Sequence, residues 1–531
     1  MTARNFDHPS AGVTPEQPAP LLKNERHSAP DTDEGGSAPG QIDFPAYERA
    51  ALTPAVVHIG VGGFHRAHQA VYFDDLVRQD ISTDWGLVGV GLRSPEMGQV
   101  LSDLDHLYTV VTRLPDRDDL RVVGVITDYL FAPDDPSLVL ETLARPTTRL
   151  VTLTITGNGY PRGGSVDPED PDVAADLAQP EAPRTVFGFL VEALDRRRRA
   201  GMPAFTVLSC DNVQHNGEVT RQAVVSMARL RDPSLARWID QHAAFPSSMV
   251  DRITPETTPE MQQELARQYG LEDRWPVITE PFSQWVVEDS FVGGRPPLDR
   301  VGVQFVPDVL PYEIMKTRLL NGAHCALGYL GYLAGMRTTD EAIADPRLRD
   351  FIDGYLHEAA ALLPAVPGID LEVYCATLIE RFSNPQLGDQ LSRLCRRGST
   401  KVPSYVFPSV EQALSDDRPR AHLVMALAAW LRYLRGHDYA GDPIPVEDAR
   451  ADQLRPLAER APRDSHSVLS EEEIFGNLGD HEELPSELEW ALRLLEEGPL
   501  EAAIAVSGSR QPVSWAKQPA AAGRETVPSG R

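Results

Sequence analysis

One stretch constrains the fold more than any other: Val56-Val57-His58-Ile59-Gly60-Val61-Gly62-Gly63-Phe64. A short β-branched run ends in glycines, and His65 to Val77 continues with helical character. Strand, glycine turn and helix in that order open a dinucleotide-binding fold. Glycines let the backbone approach a pyrophosphate, and the free N–H groups and positive dipole end of a helix favour the anion. The match is partial: Gly60-x-Gly62 is present, but His65 stands at the third glycine position. A second strand runs from Trp85 to Leu92. After it, an acidic residue would hold the ribose of NAD, and a basic one the extra phosphate of NADP. The chain offers Arg93 and Glu96, so the preference stays open, and either is also an ordinary surface charge.

Further strands are expected at His106–Thr112, Arg121–Tyr129, Leu150–Thr156 and Phe205–Cys210, with helices at Pro136–Ala144, Thr185–Arg199 and Glu218–Leu230 between them. This alternation indicates an α/β domain with a mostly parallel, doubly wound sheet. Asp167 to Pro183, acidic and proline-rich, reads as an excursion loop, and Gln284 to Phe291 as a strand crossing back. From Pro311 to about Leu500 the pattern is helical: 312–334, 339–361, 369–383, 386–396, 421–435, 446–459 and 487–497. The expected organisation is a disordered tail over 1–43, a Rossmann-type domain over 44–300, a mainly α-helical substrate and catalytic domain over 301–507, and a disordered tail over 508–531.

With 531 residues, 42% of them hydrophobic, the chain can bury large cores. A net charge of -28 argues against nucleic acid and anionic lipid as partners. There is no apolar run of 18 residues and no apolar N-terminal core, so neither a membrane span nor a secretory signal is expected, and the cytoplasm is the expected compartment. Cys210, Cys325, Cys375 and Cys395 form no close pair and read as buried reduced thiols. The 14 histidines show no metal-ligand spacing.

Two features carry candidate chemistry. The first is Tyr312-Glu313-Ile314-Met315-Lys316-Thr317-Arg318-Leu319-Leu320-Asn321-Gly322-Ala323-His324. On a helix turning about 100° per residue, with Lys316 at zero, Glu313 falls at about 60°, His324 at about 80° and Asn321 at about 140°. Four polar groups share one arc on an otherwise apolar helix. The arc is either a solvated edge or a catalytic lysine with hydrogen-bonding assistants. The second is the pair of strand ends Thr156-Gly157-Asn158-Gly159-Tyr160 and Ser209-Cys210-Asp211-Asn212. Ligands of doubly wound sheets bind outside such ends, which puts Asn212 where a substrate or nicotinamide would sit. Asn212 could equally start a turn or cap a helix.

These stretches resemble the polyol-specific long-chain dehydrogenases, the mannitol 2-dehydrogenase family. The motifs are VHIGVGGFHRAHQAVYFDDL (57–76), WGLVGVGL (85–92), TLTITGNGY (152–160), SCDNVQHNG (209–217), MVDRITP (249–255), WVVEDSF (285–291), YEIMKTRLLNGAHCALGYLGYLAG (312–335) and RFSNPQLGDQLSRLCRRGSTKVP (381–403). The resemblance implies an NAD(P)-dependent, metal-independent oxidation of a secondary alcohol at C2 of a sugar alcohol, D-mannitol to D-fructose first among them. NAD is the expected cofactor, with NADP open. The active site is expected between a Rossmann-type domain and a helical one, in a monomer or weak homo-oligomer. By position, Lys316 matches the general base, Asn212 and Asn321 the amides on the substrate oxygen, and His324 a substrate-positioning residue. Asp251, Arg393 and Lys401 match substrate-hydroxyl contacts, and Glu313 an acid on a proton path. Ile59, Gly60, Gly62, Gly63, Phe64, Arg93 and Glu96 are the expected cofactor contacts. The chain departs from the family at Gly157, where many members carry glutamate. The alternatives are a hexuronate reductase, its substrate carboxylate met by Arg393, Arg396, Arg397 and Lys401, an arabinitol dehydrogenase, or a non-catalytic nucleotide sensor of the same fold.

Lysine chemistry suits the reaction. A lysine has a reference pKa of ~10.4, and burial favours its neutral, proton-accepting form. Amide donors can hold the developing alkoxide as an oxyanion hole does.

Overall fold

Five strands build the sheet that places the glycine turn: β1 (Pro54–Ile59), β2 (Gly86–Gly91), β3 (Ile126–Phe131), β4 (Leu150–Leu153) and β5 (Thr206–Ser209). They lie in the order β3-β2-β1-β4-β5, with every neighbouring pair parallel. The order reverses between β1 and β4, which makes their carboxyl ends the switch point of the sheet. Neighbouring residues of β1 face opposite layers. Val57 and Ile59 pack with Phe187, Leu190 and Leu194 on one side, and Val56 with Tyr72, Phe73 and Leu76 on the other. Burial on both faces explains why β1 reads as a continuous apolar run rather than an alternating one.

The computed structural model describes residues 42–270 and 273–508. Residues 1–41 and 509–531, nearly all of the two expected tails, lie outside the described residues. The chain divides into two units, one reaching to Phe305 apart from Leu114–Asp116, the other made of those three residues and the chain from Val306.

Several elements differ from expectation, each for a local reason. Ile42 and Asp43, expected to be tail, form a short strand pairing with Leu120 and Arg121, and Arg78 anchors Asp43 at 2.8 Å. The strand expected over Arg121–Tyr129 is two strands in two sheets. Asp118–Val123 pairs antiparallel with Tyr108–Arg113, whereas β3 pairs with β2. Gly124 makes the break, where a Cβ would lie 3.1 to 3.2 Å from Tyr47, Arg49 and Leu107. A further three-stranded sheet runs Gln304–Val306, Gln284–Glu288, Ser248–Asp251. The helix expected over His65–Val77 is broken at His68 (φ -118°, ψ -85°) into Gly63–Ala67 and Gln69–Arg78. The expected loop at 167–183 contains a helix, Pro171–Ala178: Asp170 caps the amides of Asp172 and Val173, and Pro171 fits its first turn.

The second unit is helical. Gly322–Leu333 and Ala421–Leu434 are apolar almost all round and almost wholly buried, the mark of core helices. The helix expected over 339–361 splits at Asp345, which caps Pro346–Ala360. That expected over 386–396 shrinks to Leu391–Cys395, because Gly388 (φ +56°) holds a turn before it. Two helices not anticipated, Gly398–Tyr405 and Phe407–Ser415, were hidden by Pro403 and Pro408. The four cysteines are all buried and unpaired.

Candidate active site

The polar arc of Lys316 is not carried by one regular helix. Leu310–Lys316 and Gly322–Leu333 are α-helical, but Thr317–Asn321 is a π turn, and the Gly322 amide donates to the Thr317 carbonyl five residues back. A single π turn adds one residue and retards everything after it by about 100°. Asn321 moves from about 140° to about 40° from Lys316, and His324 from about 80° to about -20°. The helical wheel read from the sequence is therefore wrong in phase. The true arrangement gathers the three side chains more tightly.

Burial sharpens that face. Lys316 is 8% exposed. Asn321 Nδ2 and His324 Nε2 are buried and have no hydrogen-bond partner among the described residues. A buried amide N–H without a partner costs about 1–3 kcal/mol, so the site holds donor capacity in reserve. His324 packs against Phe382, ring centroids 4.7 Å apart. Desolvation pushes its pKa well below the ordinary value, and Arg393, Arg381, Lys401 and Lys316 push it further the same way. His324 is thus a neutral imidazole among cations. Glu313 is half-buried one turn before Lys316.

Arg393 and Lys401 stand near this imidazole but are engaged. Arg393 makes a two-pronged ion pair with Asp389, at 2.7 and 2.6 Å. Lys401 Nζ donates to the carbonyls of Arg393 and Leu394, each at 3.1 Å, and so closes the end of Leu391–Cys395. Burial lowers the Lys401 pKa. Of the other basic residues considered for a carboxylate pocket, Arg396 pairs with Glu447 at 3.0 Å. Arg397 sits in the left-handed region, φ +55°.

In the first unit, the glycine turn leaves β1 at its carboxyl end. Gly60 adopts φ +100°, and a Cβ there would lie 2.2 Å from the Thr154 carbonyl oxygen. At Gly62 and Gly63 nothing lies closer than 3.8 Å, so the backbone is bare over the turn, as a pyrophosphate requires. His65 takes the third glycine position by stacking flat on His58, centroids 3.4 Å apart, and His58 bonds Thr152 and Thr154 at 2.8 and 2.9 Å. Ile59 is buried, and the Phe64 ring stacks on His68. Arg93 and Glu96 are both exposed beyond β2. The bare glycine turn has room for a dinucleotide.

Asn212 is exposed beyond β5, and His215 holds the N-cap position of Asn216–Arg231. Its neighbour Asp211 binds the loop after β4: its carboxylate accepts the amides of Ile155 and Thr156 at 3.0 and 2.7 Å and the Tyr160 hydroxyl at 2.7 Å. Asn216 bonds the Asp211 and Ser248 carbonyls and so ties this turn to the strand ending at Asp251, itself 3% exposed. Gly157 is exposed, with no atom nearer its Cβ position than 3.8 Å.

The comparisons with known proteins give the family. Residues 54–300 match the mannitol dehydrogenase Rossmann domain, and residues 308–495 the mannitol dehydrogenase C-terminal domain. The chain belongs to the mannitol dehydrogenase family. Within this family, a mannitol 2-dehydrogenase of Phaeosphaeria nodorum is 44% identical over 87% of this chain and 83% of its own. That of Aspergillus fumigatus is 44% identical over 86% and 93%. The solved ternary complex of Pseudomonas fluorescens mannitol 2-dehydrogenase with NAD and D-mannitol superposes with a TM-score of 0.79 at 42% identity, covering 88% of this chain and 96% of that one. A D-sorbitol dehydrogenase in substrate-free form gives 0.80 at 38% identity, covering 88% and 98%. The Rossmann-type and helical fold expected from the sequence is that of the family.

Sequence reading missed Asp211, Tyr160 and Asp389. A charged residue at the end of an apolar strand was the available signal for Asp211. Asp389 lies four residues before Arg393, a helical pairing distance within the helix expected over 386–396, and that spacing was the available signal.

Proposed function

We propose that this NAD-dependent polyol dehydrogenase interconverts D-mannitol and D-fructose, with Lys316 as general base. The observation that carries the reading is the pair of orphaned, buried nitrogens, Asn321 Nδ2 and His324 Nε2, on the helix face of a nearly buried lysine. When bound, NAD supplies the acceptor for the hydride leaving C2. Lys316 Nζ takes the proton of the C2 hydroxyl. The Asn321 amide, with Asn212 as its counterpart, donates to the oxygen as negative charge grows there, a contribution of about 3–4 kcal/mol per donor. His324, held neutral, donates or accepts one hydrogen bond without adding charge. Asp251 and the N–H groups of Arg393 and Lys401 not spent on Asp389 and the carbonyls hold the remaining hydroxyls. Glu313 passes the proton from Lys316 toward solvent. Gly60, Gly62 and Gly63 accommodate the pyrophosphate, with Ile59 and Phe64 beside them, and Glu96 takes the ribose hydroxyl with Arg93 flanking it.

The Arg393–Asp389 pair weighs against a hexuronate. A substrate carboxylate would approach an arginine already neutralised by a carboxylate 2.6 Å away. The test is a panel of D-mannitol, D-sorbitol, D-arabinitol and D-mannonate with NAD and with NADP, followed by absorbance of the reduced nicotinamide. The highest kcat/KM is expected for D-mannitol with NAD. Faster turnover of D-mannonate would overturn the assignment, and NADH binding without turnover of any polyol would point to a sensor.

A further inference from the structure

The π turn that aligns Lys316 with Asn321 needs something to hold it, because a regular α-helix has the better backbone hydrogen bonding. One side chain is set into the turn. Tyr355, on the neighbouring helix Pro346–Ala360, is wholly buried. Its hydroxyl donates to the Arg318 carbonyl at 3.4 Å, in the middle of Thr317–Asn321. The return from five-residue to four-residue spacing passes over one carbonyl of the helical ladder, and a donor from outside can satisfy it. The same hydroxyl lies against the Cα of Gly322, where a Cβ would come within 2.1 Å of it. A second contact ties the turn to its surroundings: the Arg318 guanidinium donates to Gln412 at 2.6 Å, and Gln412 donates to the Leu362 carbonyl at 3.0 Å.

We propose that Tyr355 is a positioning residue: its hydroxyl, seated against Gly322, holds the π turn and so keeps Asn321 and His324 in phase with Lys316. Without it the turn can relax toward α geometry, which would carry Asn321 about 100° away from the lysine face. The inference rests on Lys316 and Asn321 being the reacting pair.

The test compares Tyr355→Phe, Gly322→Ala and the double variant in the full chain. Tyr355→Phe keeps the ring and removes only the hydroxyl. Its kcat for hexitol oxidation should fall about tenfold, while NADH affinity by fluorescence titration and Tm stay close to the parent. Gly322→Ala drives a methyl into the hydroxyl and should lose more. The double variant should recover part of that loss, because the 2.1 Å contact is gone and only the ring carbon at 3.1 Å and the Tyr405 carbonyl at 3.3 Å stay close to the methyl. An unchanged kcat in Tyr355→Phe would overturn the proposal. So would a parallel fall of kcat, NADH affinity and Tm, which marks general loosening, or no recovery in the double variant. Lys316→Ala separates the two levels. If it retains activity, the site reading fails. If it is inactive while Tyr355→Phe is normal, only the role of Tyr355 fails.

Discussion

Lys316, Asn321 and His324 are close in sequence but differ in what they can tell an experiment. Lys316→Ala removes the proton acceptor and is expected to abolish turnover while NADH still binds, measured by fluorescence titration beside the rate. Full activity at neutral pH in that variant would show that the proton leaves by another route. Asn321→Ala removes one of the two orphaned nitrogens. Turnover should fall about 10²- to 10³-fold with little loss of cofactor affinity. A change confined to cofactor affinity would count against a role at the substrate oxygen. Arg393 and Lys401 will not behave as free cations, because each already spends donors on the protein. Asp389→Asn should therefore disturb this corner as much as a change to Arg393 itself.

At the scale of elements, the glycine turn and the π turn are both backbone devices, yet only one was legible. Gly60 announces itself, since β-branched residues run into it and an acyclic turn at φ +100° against the Thr154 carbonyl admits no side chain. Gly60→Ala is expected to cost about 2–4 kcal/mol, by backbone strain plus the clash, and to weaken NADH binding. Thermal denaturation with and without NADH checks both parts, and an unchanged Tm would mean the turn can rebuild. The π turn had no such signal. Thr317-Arg318-Leu319-Leu320-Asn321 is ordinary helical sequence, and its cause, Tyr355, lies 34 positions beyond Asn321 on another helix. The parallel sheet and its strand ends could be read because parallel strands buried on both faces leave long apolar runs. The split at Gly124 and the helices around Pro403 could not, because tertiary contacts there override local propensity. The arc of Lys316 was read with the wrong phase, because nothing in its local sequence marks the π turn.

For the molecule as a whole, buried histidines set a lower limit on pH. Burial pushes His58 and His68 down to about 3, and His65 and His324 well below their ordinary value. The unfolded chain takes up protons at these sites from about pH 6.5 downward, whereas the folded chain does not, so stability is complete above that pH and falls below it. Each such histidine removes about 2 kcal/mol by pH 5. Calorimetry should show Tm dropping steeply between pH 6.5 and 5, and a flat Tm would contradict this account. The four thiols give a finer instrument. Cys210 lies in the first unit, and Cys325, Cys375 and Cys395 in the second, each 6% exposed or less. A thiol reagent can reach them only when the surrounding structure opens. Labelling followed by mass spectrometry then works as a pair of clocks, one for each unit. Because the native protein offers that reagent no accessible sulfur, the clocks start from zero, and the order in which they run tells which half of the enzyme comes apart first.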